Sequence, residues 1–144
     1  MQSRKPILYL AARYQLKDDI AEHATELQSM GYRVTSTWMS EPHDGNISMR
    51  DVDEETLAEY AARDLLEIDD ADLFVFFSED PETPTKRGGR HVEFGYALAK
   101  GKEIVVIGPR ENIFHYLEPL ARFASWRQFT EELYGCEFNV PSGE

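Results

Sequence analysis

Four short apolar runs, PILYLAA (6–12), YRVTSTWM (32–39), DLFVFFS (72–78) and EIVVIGP (103–109), recur along the chain with helix-period stretches between them. This alternation constrains the fold more than any other feature. An almost unbroken apolar run of strand length is buried on both faces, and parallel strands need a crossover helix to join them. From Leu16 the pattern takes a helical period, with Leu16, Ile20, Ala24 and Leu27 on one stripe and Gly31 as the stop. DVDEETLAEYAARDLLEIDDA predicts a second helix with acidic residues in its first turn and a stripe of Leu57, Ala61, Asp64, Leu65 and Ile68. GGRHVEFGYALAKGK predicts a third. Beyond Pro109, ENIFHYLEPL reads as a short helix, FASW as a last strand and QFTEELYG as a last helix. The expected class is α/β: a single-domain, open, mainly parallel five-stranded sheet with helices on both faces, of the flavodoxin or Rossmann kind. The domain spans 1–135, and 136–144 form a loosely held C-terminal tail.

Charge narrows the partners. Twenty-seven acidic against 15 basic residues give a net charge of -12, a field that repels nucleic-acid polymers and anionic membranes. An anionic ligand would have to be held by a local basic cluster. The single cysteine, Cys136, has no intramolecular disulfide partner and no metal-ligand spacing around it, which fits a reducing, cytoplasmic setting. No apolar run approaches the ~18 residues of a membrane span. The G-x-G-x-x-G spacing is absent after the first strand, as are a P-loop, a metal-spaced cluster and a serine nucleophile elbow. No cofactor or metal is expected.

In sheets of this class ligands bind beyond the carboxyl ends of the strands, so the segments after Leu10, Met39, Ser78 and Gly108 are where site residues should lie. Glu93 follows the Gly88–Gly89 pair at a predicted helix start, where the partial positive charge favours an ionised carboxylate suited to a nucleophile. Taken alone, the local sequence suits a capping or solvated glutamate somewhat better. Asp64 projects from an apolar helix stripe, a costly place for an acid unless it is paired or used. Tyr9 lies inside the first strand, where core packing is the ordinary explanation. Asp72 reads as a structural residue at a strand entry. Arg13, Lys86, Arg87 and Arg90 are basic positions near helix starts, where a phosphate is readily held, with surface ion pairing as the alternative. Trp38, Met39 and His43 follow the second strand and offer a flat wall for a base, although core packing is the stronger reading for Trp38.

Three segments, LYLAARY (8–14), RDLLEIDDADLFVFF (63–77) and GGRHVEFGYALAKGKEIVVI (88–107), together resemble the nucleoside 2-deoxyribosyltransferase family, which includes the related 2'-deoxynucleoside 5'-monophosphate N-glycosidases. Gly89, Glu93, Gly95, Ala97, Gly101 and Lys102 fit the family's G-x-x-x-E-x-G-x-A-x-x-x-G-K helix. The resemblance implies that Glu93 is the nucleophile that attacks C1' of the sugar. It implies that Asp64 manages the proton on the departing base and that Tyr9 orients the nucleophile. Substrate-binding positions would include Arg13, Arg87, Gly89, Trp38 and Ser78. A homo-oligomer is also implied, with a neighbouring subunit completing the site. The partner molecule would be a small deoxynucleoside or deoxynucleotide, and the acceptor a second base or water.

The chain departs from the pattern six residues before Glu93. The transferases carry there an Asp that binds the 5'-hydroxyl, and the monophosphate N-glycosidases carry a small polar residue. This chain has Arg87, whose guanidinium would favour a 5'-phosphate. Arg90 and His91 also replace smaller residues. A non-catalytic nucleotide-binding or regulatory module with the same fold is the alternative. The phosphoribohydrolase group is disfavoured because its P-G-G-x-G-T run is missing.

Overall fold

A computed structural model describes residues 3–41, 52–83, 88–135 and 140–141. In chain order the elements are β1 (Ser3–Arg4), β2 (Ile7–Ala11), α1 (Lys17–Ser29), β3 (Arg33–Val34), α2 (Glu54–Asp69), β4 (Leu73–Phe77), α3 (Gly89–Ala99), β5 (Glu103–Ile107), β6 (Ala121–Phe123), α4 (Trp126–Gly135) and β7 (Val140–Pro141). Five strands form one parallel sheet in the order β3-β2-β4-β5-β6. The fold is therefore the expected α/β class. Central β4 carries no polar residue, and all five of its side chains are buried. Side-chain alternation assigns the two faces. Phe74 and Phe76 meet Phe94 of α3 on one, whereas Phe77 meets His23 of α1 and Trp126 of α4 on the other.

The second strand is much shorter than the predicted 32–39. It ends at Val34 because side chains take over the groups a longer ladder would use: the Leu10 N–H donates to Ser36 Oγ at 3.1 Å, and the Trp38 indole N–H donates to the Leu10 carbonyl at 2.7 Å. FASW likewise is not a strand from 123 to 126. Ser125 accepts from the Gln128 N–H at 3.1 Å while Gln128 reaches back to the Ala124 N–H at 2.6 Å, an arrangement close to a capping box that starts α4 at Trp126. Of the helix predicted over 111–120 only a 3-10 turn, Ile113–Tyr116, forms, and Pro119 cannot extend it. The tail contributes β7, which pairs antiparallel with β1.

Asp72 has the structural task expected of it, accepting from the Ile7 N–H at 2.8 Å and from both terminal nitrogens of Arg4 at 2.6 and 3.1 Å. Gly31 ends α1 with φ of 92°, a conformation costly for any other residue. The strand order reverses direction about β2, whose neighbours β3 and β4 follow it on opposite sides. The crevice beyond the carboxyl ends of β2 and β4 is thus the switch point where such sheets hold ligands.

Candidate active site

Tyr9 and Glu93 meet beside this crevice, with Asp64 within electrostatic reach of both. Tyr9, fully buried on β2 and stacked on Phe74 at 5.6 Å, donates its hydroxyl to Oε2 of Glu93. The N-terminal part of α3 carries Glu93 over the sheet, because Arg90, Phe94 and Ala97 form the buried stripe of that helix. Asp64 comes from α2, close enough that its charge acts on both Glu93 and Tyr9. Burial and then the charges of Glu93 and Asp64 push Tyr9 well above the usual phenol range, so it remains a donor.

Ionisation of Glu93 differs from the sequence expectation. Burial pushes its carboxyl up to about 8; the Tyr9 hydroxyl opposes this, and the charges of Asp64, Glu41 and Glu67 add to it. The helix start does not offset this, since Glu93 is the fifth residue of α3 and the dipole contribution fades within the first turn. Burial also raises Asp64, to about 6, against the pull of Arg63 and with further push from Glu41 and Glu67. Both carboxyls are thus pushed toward the neutral acid, Glu93 further than Asp64.

Three carboxylates surround one guanidinium here. Arg63 contacts Glu41 at 2.5 Å and Asp64 Oδ1 at 2.9 Å, and it lies 4.0 Å from Glu67. Glu67 in turn accepts from the Thr37 N–H at 3.0 Å and from its hydroxyl at 2.6 Å. Sequence reading missed Arg63, Glu41 and Glu67. Neighbouring residues on a helix point apart, so Arg63 beside Asp64 gave no signal, and Glu41 lies 22 residues from its partner Arg63.

The predicted substrate-binding residues fare unevenly. Trp38 is 6% exposed with its N–H committed to Leu10, so it is a core residue and not an open wall for a base. Ser78 turns its hydroxyl to the Ile107 carbonyl at 3.1 Å. It packs so closely on Gly108 that a Cβ there would stand 2.6 Å from its Oγ. Arg13 pairs with Glu79 at 2.6 Å. Arg90 is not a surface cation: it is buried and forks onto Glu111 with two bonds of 2.7 Å. Gly89 opens α3 beside empty space, with nothing within 4 Å of a Cβ placed on it or on Gly88. Met39 is half-buried against the core. His43, Lys86, Arg87 and Cys136 lie outside the described residues.

A second polar network adjoins the first. Glu111 receives Arg90, the Glu79 N–H at 2.9 Å and His91 Nε2 at 3.0 Å, while its own N–H donates to Nδ1 of His115. Burial works against ionisation at Glu111, yet the Arg90 fork and the Glu79 N–H hold its carboxyl below the usual range. Burial lowers His115, and because its Nδ1 accepts, Nε2 carries the proton. Among the described residues no group of three or more His, Cys, Asp or Glu is arranged to hold a metal ion, and no helix is long and apolar enough to cross a membrane.

The fold is the one found in solved deoxyribosyltransferase and nucleotide N-glycosidase structures. A 2-deoxyribosyltransferase from the psychrotolerant bacterium Bacillus psychrosaccharolyticus aligns with a TM-score of 0.64 at 20% identity, over 85% of this chain and 88% of its own. A CMP N-glycosidase of Clostridium botulinum aligns with a TM-score of 0.55, also at 20% identity, over 90% of this chain and 98% of its own. No family model and no curated protein matches the chain.

Proposed function

We propose that this chain is an enzyme that cleaves the N-glycosidic bond of 2'-deoxynucleosides or their 5'-monophosphates through a covalent ester between Glu93 and the sugar. The observation that carries this reading is the meeting of Tyr9 and Glu93 beside the switch-point crevice, with Asp64 within electrostatic reach of both. The activities named for the two solved structures of the same fold support it. Glu93 has one oxygen bound by Tyr9, which leaves the other to attack C1'. As that bond forms, the C1'–N bond breaks and its electron pair leaves with the base, which takes a proton from Asp64. Water or a second base then attacks C1', gives its proton to Asp64 and frees the Glu93 carboxylate.

The reactive form needs the proton on Asp64 and the charge on Glu93, against the push of burial on Glu93 toward the neutral acid. A single proton shared by the pair permits this form, and positive charge developing at C1' favours the ionised Glu93. Arg13 and Arg90 already face carboxylates. A 5'-phosphate is assigned to Arg87 in this reading, and the chain would be a small-molecule enzyme that works as a homo-oligomer.

Incubation with a panel of deoxynucleosides and deoxynucleoside monophosphates, with chromatography for free base, tests the reading. Base release is expected, together with a deoxyribosyl mass increment on acid-quenched protein that Glu93→Ala abolishes. If neither set releases or exchanges base and Glu93→Ala leaves nucleotide binding intact, the non-catalytic module is correct. Release from unphosphorylated nucleosides alone would remove the phosphate role of Arg87.

A further inference from the structure

Arg63 makes an unusual choice of partner. The ordinary ion pair for a helical arginine is the acid one turn on, here Glu67, yet that contact is the long one at 4.0 Å. Its guanidinium instead folds back onto the adjacent Asp64, with Nη2 at 2.9 Å and Nε at 3.3 Å from the same oxygen, Oδ1. The position is locked twice more, by Glu41 on Nη2 and by the Tyr60 ring 5.1 Å beneath the guanidinium. Oδ2 of Asp64 accepts no hydrogen bond from any described residue. Glu67 has its own donors in Thr37.

We propose that Arg63 is the positioning residue of the acid pair: its fork fixes Oδ1 of Asp64 and so presents Oδ2 as the oxygen that carries the proton to the departing base. Glu93 is divided in the same way, with Tyr9 on Oε2 and Oε1 left for the sugar. Each acid thus has one oxygen held by the protein and one kept for the reaction. The charged and titratable groups around Asp64 are Arg63 and Glu67 on its own helix, Glu41 from the segment after β3, Glu93 from α3 and Tyr9 from β2. Arg63 is the one cation among them. It both orients Asp64 and opposes burial and the charges of Glu41 and Glu67, which push Asp64 toward the neutral acid.

The role in base departure rests on the function proposed above, whereas the hold on Asp64 does not, so the test starts without substrate. Carbon-13 NMR of the side-chain carboxyls, in protein labelled at aspartate, follows the titration of Asp64 directly. The wild-type midpoint is expected near about 6. Arg63→Gln removes the cation and should raise it by about one unit or more. Arg63→Lys keeps the charge but not the fork, and its midpoint should fall between the two. In turnover, Arg63→Gln should move the pH limb of kcat/KM nearest 6 by the same amount, a shift that a merely structural arginine would not produce. An Asp64 midpoint unchanged in folded Arg63→Gln overturns the proposal. So does a wild-type midpoint in Arg63→Lys, which decides the matter if the glutamine variant does not fold. A shifted midpoint without any base release would leave the Arg63–Asp64 coupling standing and sink the enzyme reading.

Discussion

Glu93 and Glu111 stand at the same edge of the sheet, one on α3 and the other bound to it, and they are treated in opposite ways. Glu111 receives a guanidinium fork, a backbone N–H and a histidine, and its carboxyl titrates below the usual range. Glu93 receives one tyrosine hydroxyl amid three other acids, and its carboxyl is pushed up to about 8. Burial opposes ionisation at both. What differs is the number of donors. A buried carboxylate that is fully compensated is architecture, while one left short of donors holds free energy that a cationic transition state can relieve.

The largest effect should come from removing the poorly compensated acid. Glu93→Gln should lower base release by about 10^3-fold or more. It should also stabilise the protein, in a defined pH window. The folded Glu93 binds its proton more tightly than the unfolded residue, so its contribution to stability is intact below the ordinary glutamate range and is lost as pH rises through about 8. The variant should therefore match the wild type near pH 4 in urea denaturation and exceed it above pH 8 by on the order of a few kcal/mol. Equal stability at both pH values would mean that Glu93 is no more burdened than Glu111.

The opposite outcome is expected for the compensated acid. Arg90 has 2% of its side chain exposed and Glu111 9%, so Arg90→Met strands a buried carboxylate. The expected cost is about 3–5 kcal/mol, read as a lower midpoint in urea, with little change in kcat for the molecules that remain folded. A stable Arg90→Met with a raised KM would instead make the Arg90–Glu111 pair part of the ligand site and erase the contrast.

The two networks also differ in how far they could be read beforehand. Periodicity revealed the parallel sheet, because β4 and β5 are apolar runs that suit no other environment. Asp64 was visible as an acid on an apolar stripe, and Glu93 as an acid after paired glycines. Their partners were not visible. Arg63 joins Glu41 across 22 positions and Arg90 joins Glu111 across 21, and no local rule connects such residues. Basic residues near helix starts leave phosphate binding and ion pairing both open for the same reason: sequence displays a cation but not the carboxylate that has neutralised it. The third and most local failure was β3, where Ser36 and Trp38 side chains replaced the backbone ladder that β-propensity anticipated.

Tyr9 gives the smallest effect and the finest test of the comparison, since it is the one donor described on Glu93. Tyr9→Phe keeps the ring stacked on Phe74 and takes away only the hydroxyl. A hydrogen bond to a charged group contributes about 1.5–3 kcal/mol, so the ionised Glu93 loses about that much and kcat/KM at neutral pH should fall roughly 10- to 100-fold. The pH profile locates the loss. Wild-type kcat/KM should be bounded near about 6 and about 8, values that belong to the Asp64–Glu93 pair jointly. Removing the hydroxyl makes ionisation of Glu93 harder, so the limb near 8 should move to higher pH while the limb near 6 stays. If both limbs stay and only KM rises, Tyr9 holds substrate and not the nucleophile. Glu93 would then be left with less compensation than the contrast with Glu111 already assigns to it.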